Sequence, residues 1–155
     1  ETTQMKKITI YTDGACKHNP GPGGWCAILI YKEAEKILSG NENNTTNNRM
    51  EMLAVIEGLK SLKEPCVVEL HTDSNYIYQA FTAGWLENWK NNGWQRKEKK
   101  KLVELKNRKL WKELDRLADI HTINWKKVPA HSGIPLNEKC DHIASEEAKK
   151  IQAKG

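Results

Sequence analysis

The sequence predicts an α/β protein in which a mixed five-stranded sheet carries helices on its faces. Three observations carry that prediction. Two apolar, β-branched stretches, Ile8 to Asp13-Gly14 and Val67 to Asp73-Ser74, each stop abruptly at an aspartate. Open α/β sheets gather their sites at such C-terminal strand ends. The run Trp25-Cys-Ala-Ile-Leu-Ile-Tyr31 is apolar almost without a break, which suits a strand buried on both faces. Apolar residues at 52, 53, 56, 59 and 62 recur with the period of an amphipathic helix.

In order, the first strand spans about 6–13, and Cys16 to Gly24 is a Pro/Gly loop without the Gly-Lys-Ser/Thr of a P-loop. The apolar run 25–31 and a weaker strand at 36–40 complete an antiparallel meander. The polar 43–48 segment favours no regular structure and leads into a helix over 48–63. Asn48 and Glu51 have the spacing of a capping box, so a capping role for Glu51 stands beside any chemical one. Pro65 ends that helix, and the fourth strand reaches Asp73. Two short helices, 74–82 and 85–91, break near Gly84. Trp85 and Trp89 share a helical face, a spacing that serves core packing and stacking on sugars or bases equally well. A helix is expected over 101–118, with Leu102, Leu105, Leu110, Trp111, Leu114 and Leu117 on its inner side. Alternation over 120–128 marks the fifth strand, and the last helix runs over 136–152. No repeat or linker divides the chain, so 1–155 reads as one domain with a basic protrusion at about 92–105.

Composition narrows the function. No apolar run approaches the roughly 20 residues of a membrane span, and the N-terminus lacks a signal peptide's apolar core. Cys16, Cys26, Cys66 and Cys140 form neither a CxxC pair nor a zinc spacing and read as reduced thiols of a cytoplasmic protein. The net charge is +5, and it is concentrated. Between 96 and 112, Arg96, Lys97, Lys99, Lys100, Lys101, Lys106, Arg108, Lys109 and Lys112 meet only Glu98 and Glu104. Such a block points to a polyanion such as nucleic acid.

Asp-Gly is also an ordinary turn and Asp-Ser an ordinary helix cap, so neither strand end settles the chemistry alone. Asp141, however, borders the apolar stripe of the last helix, where an unpaired carboxylate is costly. If Asp13, Glu51, Asp73 and Asp141 converge, their repulsion is relieved by two hard divalent cations, Mg2+ foremost and Mn2+ as a substitute. Such a pair serves in-line phosphodiester displacement. His131, in a short Gly-containing loop, suits proton transfer near neutral pH.

Thr12-Asp13-Gly14, the Asn19-Pro-Gly-Pro-Gly-Gly24 loop, Thr46-Asn47-Asn48-Arg49-Met50-Glu51, Thr72-Asp73-Ser74 and His131 to Cys140-Asp141 together resemble the cellular type 1 ribonuclease H family. The likeness covers about residues 5–150. It implies the ribonuclease H fold with strand order 3-2-1-4-5. It further implies metal-dependent endonucleolytic cleavage of the RNA strand of RNA/DNA hybrids, leaving 3′-hydroxyl and 5′-phosphate ends, by a chain expected to be monomeric. By the same resemblance, Asp13, Glu51, Asp73 and Asp141 hold metal and His131 moves the proton. Asn19, Asn47, Asn48 and Asn75 contact the hybrid's minor groove, where 2′-hydroxyls mark RNA. Thr46 and Asn88 hold a DNA phosphate, Trp85 packs against DNA sugars, and Lys97, Lys99, Lys100 and Lys101 belong to the clasping protrusion. Two positions depart from the pattern: Asn44 stands where relatives often carry arginine, and Lys109 where at least one carries an acid. The competing expectations are an inactive hybrid-binding module, which would lack one of the acids, and another phosphotransferase of the same superfold, which would lack the Asn-Pro-Gly loop.

Overall fold

The computed structural model describes residues 5–129 and 133–154, with side chains to Ile151. The meander consists of β1 (Lys6–Cys16), β2 (Gly21–Tyr31) and β3 (Ala34–Thr45). The helix α1 (Asn47–Lys60) then returns the chain, so that β4 (Cys66–Thr72) pairs parallel to the free side of β1. Helices α2 (Asn75–Thr82) and α3 (Trp85–Asn91) lead into a separate hairpin, β5 (Gln95–Glu98) and β6 (Lys101–Glu104). After it, α4 (Arg108–Ile120), β7 (Thr122–Lys127) and α5 (Pro135–Lys154) complete the chain. The large sheet has the order β3-β2-β1-β4-β7, the expected 3-2-1-4-5 once the hairpin strands are set aside.

Strand alternation divides the interior. Ile8, Ile10, Ala27, Leu29, Val68 and Leu70 face the main core, against Met52, Val55 and Leu59 of α1 and Leu114 and Leu117 of α4. On the other face Cys26 and Ile28 meet Cys140 and Ala144 of α5. The continuous apolar run at 25–31 is thereby explained, because β2 is covered on both sides. Trp111 is fully buried, its indole Nε1 donating to the Tyr76 hydroxyl at 3.1 Å.

Three expectations are corrected. The strand expected at 36–40, with 43–48 irregular, is longer: β3 spans Ala34–Thr45, because pairing with β2 holds its polar residues in the ladder. The helix expected from 101 starts at Arg108; residues 101–104 form a strand instead, and Leu102 is 50% exposed rather than inward-facing. Lys99 and Lys100 both adopt positive φ, closing a two-residue turn that pairs Glu98 with Lys101. Finally, the cap of α1 is not Asn48 but Thr46, whose Oγ1 accepts from the Arg49 N–H at 3.2 Å. The Trp pair divides its roles: Trp89 is buried against Trp111, while Trp85 is 39% exposed.

Candidate active site

Strand register assembles the acids. Tyr11 pairs with His71 across the parallel β1–β4 ladder, so Asp13 and Asp73, each two residues further on, leave the sheet side by side on the same face. Thr12 Oγ1 donates to the His71 carbonyl at 2.9 Å and locks that register. Ser74 takes the capping work at the start of α2, its Oγ accepting from the Ile77 N–H at 3.2 Å, which leaves Asp73 free of it. Glu51 arrives from the opposite side of the sheet. Its helix packs directly on Gly14, where a Cβ would sit 2.5 Å from the Glu51 nitrogen. Only a glycine lets α1 come that close.

One carboxylate oxygen from each of Asp13, Glu51 and Asp73 lies within 4.8 Å of the others. Asp141 lines the same hollow, of about 300 Å³, and touches Asp13. Burial first, then the charge of Asp73 and the contact with Asp141, pushes the Asp13 carboxyl up to about 8. Burial likewise holds Glu51 well above the ordinary carboxylate range, reinforced by Asp13 and Asp73. Carboxyl–carboxylate contacts bond only while one partner keeps a proton. With all the acids ionised, the buried Glu51 Oε1 and Asp73 Oδ1 have no donor. An all-oxygen set with orphaned buried oxygens fits a hard divalent cation.

The other expected residues are spread around this centre and beyond it. Asn47 opens α1 and lines the acidic hollow; its N–H donates to Asn19 Oδ1 at 3.0 Å, tying the Pro/Gly loop to that helix. Asn48 and Asn75 are exposed, with Asn75 Oδ1 accepting from Gln79 Nε2 at 3.3 Å. Trp85, Asn88 and Lys97 come together in a second hollow of about 630 Å³, completed by Tyr76, Trp89, Asn92 and Arg96. Thr46 is not among its walls; it caps α1. Lys99, Lys100 and Lys101 stand exposed at the hairpin end. His131 lies outside the described residues. A third hollow, of about 750 Å³ at the start of α4, is ringed by Arg49, Lys106, Arg108, Lys109 and Lys112.

Sequence reasoning passed over Asn137, which is 4% exposed and lines the acidic hollow. Its signal was present: it lies four residues before Asp141, hence on the same helical face. Glu138, in the first turn of α5, also lines the hollow and accepts from the Gly133 N–H at 3.1 Å. Cys16 is a further wall residue.

The family model described as RNase H matches residues 5–149. The chain belongs to the ribonuclease H family. Ribonuclease H of Acetivibrio thermocellus is 55% identical over 150 residues, covering 97% of this chain and 100% of that protein. Among solved structures, LC9-RNase H1, a type 1 RNase H with the type 2 active-site motif, matches with TM-score 0.85 and 27% identity over 97% of this chain and 76% of that one. LC11-RNase H1, solved in complex with an RNA/DNA hybrid, shares the fold at TM-score 0.68 and 21% identity, over 94% of this chain and 99% of that one. This ribonuclease H thus has the family's sheet order, with a cluster of acids where its parallel strands end.

Proposed function

We propose that this ribonuclease H is an endoribonuclease that hydrolyses the RNA strand of RNA/DNA hybrids with two divalent cations, leaving 3′-hydroxyl and 5′-phosphate ends. The cations are Mg2+, with Mn2+ as a substitute, held by Asp13, Glu51, Asp73 and Asp141. The observation that carries this reading is the convergence of three strand-end and helix carboxylates within 4.8 Å, two of whose buried oxygens lack any donor. When bound, the cations supply activation of a water and charge stabilisation of the leaving oxygen. We assign His131 the transfer of a proton to the leaving 3′-oxygen, a task suited to imidazole near neutral pH.

Around that centre, Asn19, Asn47, Asn48 and Asn75 read 2′-hydroxyls, and Thr46 and Asn88 hold a DNA phosphate. The exposed indole of Trp85 supports its role as a wall for DNA sugars, since it opens onto the hollow that holds Arg96 and Lys97. Lys97, Lys99, Lys100 and Lys101 clasp the backbone from the hairpin. We place the enzyme in the cytoplasm as a monomer. All four of its cysteines are free, and no described helix is long and apolar enough to cross a membrane.

The test uses one end-labelled strand in an RNA/DNA hybrid, in double-stranded RNA and in double-stranded DNA, with Mg2+ or EDTA, alongside Asp13→Asn. Cleavage of the hybrid's RNA alone, lost with EDTA and with the substitution, is expected. Tight binding of the hybrid without cleavage in either Mg2+ or Mn2+ would mark a binding module instead.

A further inference from the structure

Glu147 is a buried charge outside the acidic hollow, and none of the roles assigned above uses it. It lies on α5 and is 8% exposed, yet its carboxylate is fully engaged. Oε2 accepts from Ser39 Oγ at 2.7 Å and Lys150 Nζ at 3.1 Å, and Oε1 accepts from Asn41 Nδ2 at 2.8 Å. Burial alone would raise this carboxyl, but the three donors together hold it below its ordinary range, so it is ionised at neutral pH. Ser39 and Asn41 belong to β3, whose pairing sets them opposite Cys26 and Gly24 of β2.

The contact beneath α5 is close. At Gly24 a Cβ would lie 2.3 Å from the Ala144 carbonyl oxygen and 2.5 Å from the Glu147 Cβ, so the helix rests on bare backbone. Cys140, Ala144 and Ala148 are the buried small residues of that stripe. Beside them Leu136 and Ile143 pack on the sheet, and Cys140 Sγ donates to the Cys26 and Tyr11 carbonyls at 3.1 and 3.5 Å, so on β1 and β2 the helix is held by small apolar contacts and weak thiol bonds, and Glu147 supplies its charged anchor on β3. At about 100° per residue, Asp141 and Glu147 flank Ala144 on opposite sides, each displaced by about 60°. Asp141 therefore borders the β1 side and Glu147 the β3 side. A roll of the helix that frees one necessarily moves the other. The one ion pair from α5 to β3 among the described residues, Lys139 Nζ to Glu35 Oε2 at 2.7 Å, is solvent-exposed and contributes little.

We infer that Glu147 is a positioning residue: anchored to Ser39 and Asn41, it sets the rotation of α5 and thereby presents Asp141 to the metal centre. The inference rests on the reading of Asp141 as a metal ligand. It requires that Glu147 act through Asp141 and not through general stability.

The test is calorimetric binding of Mg2+ to the full chain without substrate, with thermal melting in parallel. The proteins are the parent, Glu147→Leu, Glu147→Gln, the double variant Ser39→Ala/Asn41→Ala, and Asp141→Asn alone and combined with Glu147→Leu. Glu147→Leu is expected to weaken Mg2+ about tenfold, as loss of a group that orients a metal ligand does. Ser39→Ala/Asn41→Ala is expected to do the same and covers the case in which the leucine variant does not fold. Glu147→Gln, which still accepts from Asn41 and meets the Ser39 hydroxyl, is expected to stay within about twofold of the parent. In the Asp141→Asn background, Glu147→Leu is expected to add no further loss, since a residue acting through Asp141 has nothing left to position. An unchanged Mg2+ affinity in Glu147→Leu and in the Ser39/Asn41 double variant overturns the inference. So does an equal loss in the presence and absence of Asp141, which would mean a general loosening. Failure of the parent itself to bind Mg2+ overturns the functional reading instead.

Discussion

Asp13 carries a price that the metal-free protein cannot avoid. Its carboxyl is pushed up to about 8 from an ordinary 3.8, so the folded state holds the proton more tightly than the unfolded chain does. The associated stability is fully present below about 3.8 and drains away as pH rises to about 8. Thermal melts in EDTA are therefore expected to fall across that window, and Asp13→Asn to flatten the fall. Saturating Mg2+ is expected to restore stability at the alkaline end, because a ligand that binds only the folded state stabilises it. An identical pH slope in the parent and Asp13→Asn would remove Asp13 from this account. The two tryptophans of α3 make a second contrast at the same scale. Trp89→Ala, inside the core, is expected to cost about 3–5 kcal/mol by denaturant unfolding. Trp85→Ala is expected to leave stability nearly unchanged and to weaken hybrid binding, measured by fluorescence anisotropy.

At the scale of elements, the hairpin and the start of α1 both trade local ease for function. Lys99 and Lys100 have φ of 47° and 69°, a conformation that side chains other than glycine and asparagine resist. Replacing the pair by Asn-Gly, the residues such a turn prefers, is expected to raise stability by roughly 1–2 kcal/mol. The same change is expected to weaken hybrid binding and to reduce its logarithmic salt slope by about two, one for each lost phosphate contact. Unaltered affinity and slope would leave the hairpin lysines outside the interface. At the other end of the chain, Gly14→Ala is expected to lower both the melting temperature and Mg2+ affinity. Its methyl would meet the backbone of Met50 and Glu51, with the Met50 carbonyl carbon at 2.6 Å. The displaced helix carries Glu51 with it.

Over the whole molecule, the sheet separates a large core beneath α1 and α4 from a small one beneath α5, and the acids sit where the elements from both layers end. We propose that residues 1–155 behave as one domain with a basic protrusion at 92–105, since β2 is shared by both cores. Circular dichroism and tryptophan fluorescence are then expected to report a single coincident unfolding transition. Much of this arrangement could be read in the chain. Ile8 to Asp13 and Val67 to Asp73 announced strands by β-branched composition and abrupt polar stops. The α1 stripe at 52, 56 and 59 had one periodic solution. The hairpin could not be read in the same way, because the residues at 101–105 satisfy a helical pattern as well as a strand. The left-handed lysines that decide between them carry no compositional mark.

By itself, the sequence determined the type of most elements, the four acids and the concentration of positive charge, because periodicity, turn chemistry and side-chain charge are local properties. Only the tertiary structure decided that Asp13 and Asp73 emerge side by side, which depends on β1–β4 register between residues 60 positions apart. It likewise decided that Thr46 rather than Asn48 caps α1, that Glu51 is buried against Gly14, and that Glu147 reaches Ser39 and Asn41. Each of these is a contact between distant segments, and its energy depends on which surfaces meet rather than on the residues that flank it.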